Sequence, residues 1–274
     1  MTEHFDEIVY WSEVKLDIVQ DYAVAYSRIL ANQKRFHHVY IDAFAGRGLH
    51  ISRSSGDFIP GSPLNALNVL PPFCEFFLID LDSQKADALR QSTKEFPSVH
   101  VFEGDCNSVM HSEVFPKVRH EDYRRGLCLP DPYGLHLDWT VIRTAGQMKS
   151  IEIFLNFPVM DMNRNVLWRD PDAVSPDQIE RMNAFWGDNS WRQAAYTTEL
   201  NLFGYEEKRA NDEIAAAFRT RLKEVAGFAY VPDPIPMRNS IGAVVYYLFF
   251  ASPNRTGSRI VKYIFDKYRE RGAR

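Results

Sequence analysis

The sequence predicts an α/β protein built on a doubly wound, mostly parallel sheet. Four short apolar or β-branched runs each close on an acidic residue, and they follow one another at intervals suited to strands of one sheet. The segment from Lys85 to Thr93, between the second and third runs, is compatible with a helix. Successive units of this kind place a row of acids at the carboxyl edge of a sheet. The runs are residues 39–42, 76–79, 99–102 and 126–129.

The first run ends in Asp42 and turns into the small-residue loop Ala45-Gly46-Arg47-Gly48. Glycines just past a parallel strand let the backbone approach a ligand closely, and ligands of open α/β sheets bind at this edge. A dinucleotide fingerprint would need a third glycine and an acid about 20 residues further on. Here Leu49-His50-Ile51 follows the loop and Asp80 lies 38 residues after Asp42, so dinucleotide binding is the poorer interpretation.

Periodicity and turn residues predict the elements around these strands. Residues 13–31 have apolar side chains at helical spacing. The loop 47–60 exceeds the usual ~2–6 residues of a strand-to-helix connection, which indicates a lid or a substrate-gripping element. Gly61-Ser62-Pro63-Leu64 is typical of a helix start with Ser62 as N-cap. A fifth strand, 151–155, ends in Asn156, a candidate substrate contact.

The C-terminal part completes a seven-stranded, mostly parallel sheet whose last strand is antiparallel. Ala229-Tyr230-Val231 and Gly242 to Phe250 are predicted as the closing antiparallel hairpin. Residues 159–227 read as a helical, aromatic insertion. We therefore expect a Rossmann-like domain of residues 1–158 and 228–274, with 159–227 as a subdomain on the substrate side.

Composition is that of an ordinary globular protein. The chain has 274 residues, of which 45% are hydrophobic and 25% charged. No apolar stretch approaches the ~20 residues of a membrane span, and three cysteines without a C-x-x-C pair favour a reduced, cytoplasmic protein. His37-His38 has no third ligand at metal spacing, so no metal site is expected. The net charge of −4 argues against binding nucleic acid by charge alone, although 255–274 carries an excess of basic residues.

The row of acids resembles that of the Rossmann-like S-adenosylmethionine-dependent methyltransferases. In that superfamily a D-x-F-A-G-x-G loop holds the methionine end of the cofactor, the next acid holds the ribose hydroxyls, and the third meets the adenine amine. The resemblance implies S-adenosyl-L-methionine as cofactor. The residues at matching positions are Asp42, Phe44, Ala45, Gly46, Gly48, Asp80, Asp105 and Cys106.

The turn after the fourth strand supplies the candidate catalytic residues. Methyltransferases that act on amino groups of bases carry D-P-P-Y/F there, and the acid and a backbone carbonyl accept hydrogens of the target amine while the ring stacks on the base. This chain has Asp131-Pro132-Tyr133-Gly134, a relative of that motif that lacks the second proline. Asp131, Pro132 and Tyr133 are therefore the expected catalytic residues.

At closer range the chain resembles the three-Cys-motif partner protein family over most of its length. Matching stretches include Trp11 to Leu16, the Asp42 loop, Gly61 to Leu64, Asn156-Phe157-Pro158 and Tyr247 to Asn254. The opening motif departs from the family form at Trp11 and Ser12, whereas Lys15 matches. The resemblance implies a partner with a three-cysteine motif that looks like a radical S-adenosylmethionine enzyme.

Three functional hypotheses follow. The first is a methyltransferase that modifies an amino group of a base in RNA or DNA. The second is a cofactor-binding but catalytically quiet partner of the three-cysteine protein, favoured by the altered tetrapeptide and the acidic net charge. The third is a small-molecule methyltransferase, favoured by the aromatic insertion and the lack of a strong basic field. Sequence alone does not rank these substrates.

Overall fold

The computed structural model describes residues 6–200 and 206–272 and is organised around one large sheet. In chain order the strands are β1 (Asp6–Ile8), β2 (His37–Asp42), β3 (Leu49–Ser52), β4 (Phe58–Pro60), β5 (Glu75–Asp80), β6 (Val99–Glu103), β7 (Arg124–Leu129), β8 (Ile151–Phe157), β9 (Tyr196–Leu200), β10 (Glu206–Lys208), β11 (Ile235–Arg238) and β12 (Val244–Ala251). The α-helices are α1 (Tyr10–Ala31), α2 (Ser62–Leu67), α3 (Ser83–Ser92), α4 (Cys106–Val109), α5 (Trp139–Met148), α6 (Val159–Asn165), α7 (Pro176–Trp186), α8 (Trp191–Ala195), α9 (Asn211–Glu224) and α10 (Arg255–Gly272).

The large sheet has seven strands in the order β11-β12-β8-β7-β2-β5-β6. Parallel ladders join β8, β7, β2, β5 and β6, whereas β12 pairs antiparallel with both β8 and β11. The last strand of the chain is thus the antiparallel one. The chain therefore forms an α/β fold with a seven-stranded, mostly parallel sheet and an antiparallel end, and the predicted fold class is confirmed.

The predicted strand Ala229–Val231 is wrong. The strand that pairs with β12 is Ile235–Arg238, and Tyr230 contributes only an isolated bridge to Ser252. The prolines of 232–236 favoured a connector over a strand. Proline cannot donate to a ladder, but an edge strand has one side without a partner, and β11 lies at the edge of the sheet and accommodates Pro236.

Alternating side chains of the central strands fill two hydrophobic cores, one on each face of the sheet. Val39 and Ile41 of β2 point to the face covered by α5, α7 and α9. Tyr40, between them, points to the face covered by α1 and α10. Both faces are buried, which explains why these strands read as continuous apolar runs.

Segment 159–227 contributes to the first of these cores. Phe218 of α9 lies with its ring centroid 4.6 Å from that of Phe157 on β8 and 5.6 Å from that of Phe249 on β12. Phe185 of α7 stacks on Phe218 at 5.7 Å. The described part of the segment consists of helices and the short antiparallel pair β9–β10. Its assignment as a substrate-side subdomain stays a prediction.

The loop 47–60 forms part of a separate small sheet. Strand β3 pairs antiparallel with β4 and parallel with β1, which precedes α1. An ion pair of 2.7 Å between Asp6 of β1 and Lys85 links this small sheet to helix α3. The sequence predicts this loop to be a lid or a substrate-gripping element, and the structure shows two paired strands, β3 and β4, joined by a turn at 53–57. Among the described residues no helix is long and apolar enough to cross a bilayer.

The carboxyl group of Glu152, near the amino end of β8, is buried. Glu152 accepts hydrogen bonds from Tyr22 of α1 and from Ser252, whose Oγ lies 2.9 Å from Oε1. Burial raises the pKa of Glu152 to about 7, against an ordinary value of 4.5, and the two hydrogen bonds oppose that rise. Because the folded-state pKa is the higher one, the native state binds the proton more tightly, and its stability falls as the pH rises from 4.5 to about 7.

We expect Glu152→Gln to remove this part of the pH dependence. The native protein should lose stability between pH 4.5 and about 7, with a contribution from Glu152 of order 3 kcal/mol, and the variant should show a correspondingly flatter profile. Urea unfolding across that range measures the effect. The exposed Glu95→Gln is the control and should follow the unmodified protein. Equal slopes for both variants would contradict the assignment.

Candidate active site

The carboxyl ends of β2, β5, β6 and β7 open into one large cavity. Its volume is about 1440 Å³, larger than the ~300–1,000 Å³ of a typical ligand pocket. The strand-end loops form its floor, α1 and β1 form one wall, and α6 and α7 form another. Parallel strands end at the same edge of a sheet, so residues far apart in sequence meet here.

The loop after β2 contributes to the cavity wall, whereas the acid at the end of β2 does not. Residues 43–46 line the cavity, including the predicted Phe44, Ala45 and Gly46. Asp42 is fully buried behind them: it accepts hydrogen bonds from the Phe44 amide at 3.3 Å and the Tyr40 hydroxyl at 3.2 Å. Burial raises the pKa of Asp42 to about 7, and a hydrogen bond with Ser62 opposes the rise. Asp42 therefore holds the loop from behind the cavity wall, and a direct contact of Asp42 with cofactor stays a prediction.

Gly48 also lies outside the cavity wall. Its φ of +84° belongs to the left-handed region, and a Cβ there would lie 3.1 Å from Leu89 and 3.3 Å from Leu64. The residue lets the loop backbone pack closely against side chains of α2 and α3, and its predicted contact with cofactor stays a prediction. Ser62 is likewise not the N-cap of α2: Gly61 occupies that position and Ser62 is the first helical residue.

Asp80 stands at the end of β5 and fixes the neighbouring loops. Its Oδ2 accepts the Gly46 amide at 2.8 Å, and its Oδ1 accepts the Asp82 amide at 2.9 Å. Asp82 instead caps α3 by accepting the amides of Gln84 and Lys85. Both acids line the cavity, but the carboxylate of Asp82 is used to cap α3. A carboxylate has about four acceptor positions, so Asp80 keeps the capacity to accept ligand hydroxyls.

Asp105 and Cys106 follow β6 and lie on the same wall. Asp105 is the N-cap of α4 and accepts the Ser108 amide at 3.0 Å. Burial, with help from Asp105, raises the pKa of the Cys106 thiol to about 12, so the thiol is neutral. Asp138 faces them at the start of α5, and burial together with Asp105 raises its pKa. The side-chain oxygens of Asp105 and Asp138 can accept a hydrogen bond from an amine.

The turn after β7 carries the candidate catalytic residues. Asp131 forms an ion pair with Lys15 of α1, and the two side chains are 22% and 9% exposed. The Asp131 Oδ1 atom has no hydrogen-bond partner in the described structure. The Pro132 carbonyl accepts the Asn156 side-chain amide at 3.2 Å, and Tyr133 is 81% exposed beside the cavity. Lys15 is a site residue that the strand-end pattern could not reveal.

These residues fit a nucleoside cofactor in three respects. The glycine loop offers backbone where a side chain would block approach, Asp80 offers carboxylate oxygens for a diol, and Asp105 with Asp138 offers acceptors for an exocyclic amine. The unpaired Asp131 Oδ1 atom is a separate site where a hydrogen-bond donor can bind. Within the described ranges no group of three or more His, Cys, Asp or Glu is arranged to hold a metal.

We expect the Lys15–Asp131 pair to show a measurable energetic coupling. Lys15→Met leaves a mostly buried carboxylate without its partner and should lower the free energy of unfolding by about 2 kcal/mol or more. Adding Asp131→Asn should restore about 1 kcal/mol or more of that loss. Urea unfolding of the two single variants and the double variant measures the coupling. The exposed Lys94→Met is the control, and strictly additive losses would refute the pair.

Comparison with known proteins supports the fold. No family model and no curated protein matches the chain. Among solved structures, protein LPL1258 from Legionella pneumophila, of family DUF519, is 11% identical with a TM-score of 0.52, and the match covers 94% of this chain and 92% of that one. A candidate methyltransferase from Thermobifida fusca is 15% identical with a TM-score of 0.40, over 86% and 80% of the two chains. The first likeness shows a shared fold, and neither carries an activity to this chain.

Proposed function

We propose that the protein is an S-adenosylmethionine-dependent methyltransferase that modifies an amino nitrogen. The observation that carries the proposal is the meeting of acids from three separate strand ends, Asp80, Asp105 and Asp131, in one cavity with the backbone of 43–46. The cavity also has room for a second molecule beside a cofactor. The methyltransferase-like order of the sheet supports the same proposal.

The proposed cofactor would lie along the strand ends. Residues 43–46 would hold its methionine end, Asp80 the ribose hydroxyls, and Asp105 the adenine amine. When bound, it supplies a methyl group on a positively charged sulfur, so that the nitrogen lone pair forms the new bond while the pair of the breaking carbon–sulfur bond stays on sulfur. The protein has to align the nitrogen with that methyl group and to take up the proton that the nitrogen then loses.

Asp131 is positioned for both tasks. Its Oδ1 can accept a hydrogen of the amine, which orients the lone pair, and can receive the proton after transfer. Lys15 engages Oδ2 in the ion pair and leaves Oδ1 for the substrate. The Pro132 carbonyl has a second lone pair beyond the one that Asn156 uses, so it can accept another hydrogen of the amine. Exposed Tyr133 can stack on a planar substrate.

The resemblance to the three-Cys-motif partner family supports a companion proposal, an interaction with the three-cysteine protein, and the three unpaired cysteines support a cytoplasmic location. A base in RNA or DNA is supported as substrate only by the relative of the D-P-P-Y motif and by the basic residues of 255–274. Two of those residues are engaged in ion pairs, Lys267 with Asp21 at 2.7 Å and Arg269 with Asp266 at 2.8 Å. The scaffold hypothesis predicts that the cofactor binds and that no methyl group is transferred.

Cofactor binding is tested by calorimetry with S-adenosylmethionine and its demethylated product. Both should bind, and Asp80→Asn should weaken them about tenfold or more because a charged acceptor of the ribose hydroxyls is lost. Asp87→Asn, on the outer face of α3 and paired with Arg90, is the matched control and should bind normally. Absence of binding by the unmodified protein would overturn the proposal.

Transfer is tested separately with a labelled methyl donor and cell-extract fractions of RNA, DNA, protein and small molecules. Asp131→Asn should keep its affinity for the demethylated cofactor and lose at least about 100-fold in transfer, the usual contribution of an acid–base group. Retained transfer in this variant would contradict the role of Asp131. Binding with no transfer into any fraction would favour the scaffold hypothesis.

A further inference from the structure

Three unpaired acceptors surround the Asp131–Gly134 turn. Asp131 Oδ1, Asn156 Oδ1 and Asp161 Oδ2 are buried and have no hydrogen-bond partner among the described residues. All three side chains line the cavity. A Cβ on Gly134 would lie 3.0 Å from Asp161 Oδ2, so this oxygen sits directly against the turn.

Asn156 shows which kind of group is missing. The residue is 8% exposed, and its side-chain Nδ2 donates to the Pro132 carbonyl at 3.2 Å. That bond fixes the amide orientation, because the reverse orientation would set two acceptors against each other. The free end is therefore the oxygen. A buried acceptor without a partner destabilises the protein, and three around one turn call for a ligand with several N–H donors.

The charge of the cavity agrees with such a ligand. Ten carboxyl groups and four Lys or Arg side chains of the described residues line it, an excess of six negative charges. Two of the cations are already paired, Lys15 with Asp131 and Lys85 with Asp6. On α7, Asp177 and Glu180 lie one turn apart, are exposed at the rim and form no ion pair within 4 Å with any residue that the structure describes. A polyanion would be repelled from this lining, whereas a cation would be attracted.

We infer that the methyl-accepting substrate is a small aliphatic amine that carries more than one positive charge, and not a nucleic acid. Its reacting nitrogen lies at the turn, arrives protonated and passes one proton to the Asp131 carboxylate before transfer, while its two remaining N–H groups donate to Asn156 and Asp161. The freed lone pair then forms the bond to the methyl carbon, the electron pair of the broken carbon–sulfur bond stays on sulfur, and the product is a protonated secondary amine. A second, protonated nitrogen lies toward Asp177 and Glu180. This inference rests on the proposed methyltransferase function and gives its substrate class. It differs from the expectation of a base in RNA or DNA.

Arg164 and Arg181 define the competing outcome. Both line the cavity, and neither forms an ion pair with a described carboxylate, although Arg181 donates to Gln178 at 2.9 Å. Two cations could hold the phosphates of a nucleotide substrate. The surrounding excess of carboxylates favours the amine, and the experiment below separates the two.

The test uses the full chain saturated with the demethylated cofactor, with spermidine as the amine probe and a short single-stranded RNA as the anionic probe. Spermidine should bind and, with the methyl donor, should gain a methyl group on nitrogen. Asp161→Asn should weaken spermidine about tenfold or more, since one charged acceptor is lost, while cofactor affinity is unchanged. Asp172→Asn, which lies outside the cavity and pairs with Arg192, is the control and should bind spermidine normally.

The possible failures are distinguishable. If the demethylated cofactor does not bind, the proposed function itself is overturned. If it binds and spermidine does not, or if spermidine binds equally well to Asp161→Asn, the amine substrate class is refuted and the methyltransferase proposal stands. Saturable RNA binding that Arg164→Gln and Arg181→Gln abolish would refute the inference in favour of a phosphate-bearing substrate.

Discussion

The parallel pairing of β6, β5, β2 and β7 is the constraint on which the candidate site depends. Each strand brings its carboxyl end to the same edge, and their registers hold Asp80 and the loops after β2, β6 and β7 around one cavity. The apolar side chains that fix these registers lie on both faces of the sheet. The positions of the site residues are therefore fixed by side-chain packing in the two hydrophobic cores.

Most of the sheet could be predicted because its strands are buried on both faces and read as continuous apolar runs. The error at the closing hairpin has a local cause: proline argues against a central strand but not against an edge strand such as β11. The pattern of acids after strands correctly led to Asp80, Asp105 and Asp131 as lining residues. The same pattern could not separate acids that face the cavity from Asp42, which lies one layer deeper.

Residues that enter the site from other elements were beyond the reach of strand-end patterns. Lys15 meets Asp131 across 116 positions of sequence, and only packing of α1 over the sheet brings them together. Asp161 reaches the turn because α6 follows directly on β8 and folds back over its end. These two contacts change the chemical character of the site. Lys15 forms an ion pair with Asp131 of the turn, and Asp161 adds a hydrogen-bond acceptor beside the same turn. These two contacts underlie the proposal of an amine substrate.

A crystal structure with the demethylated cofactor tests the central claim most directly. The account predicts nucleoside density along the strand ends, with the ribose hydroxyls on Asp80, the amino-acid end against 43–46, and the sulfur directed toward Asp131. Density elsewhere on the molecule, or a cofactor whose sulfur points away from Asp131, would contradict it.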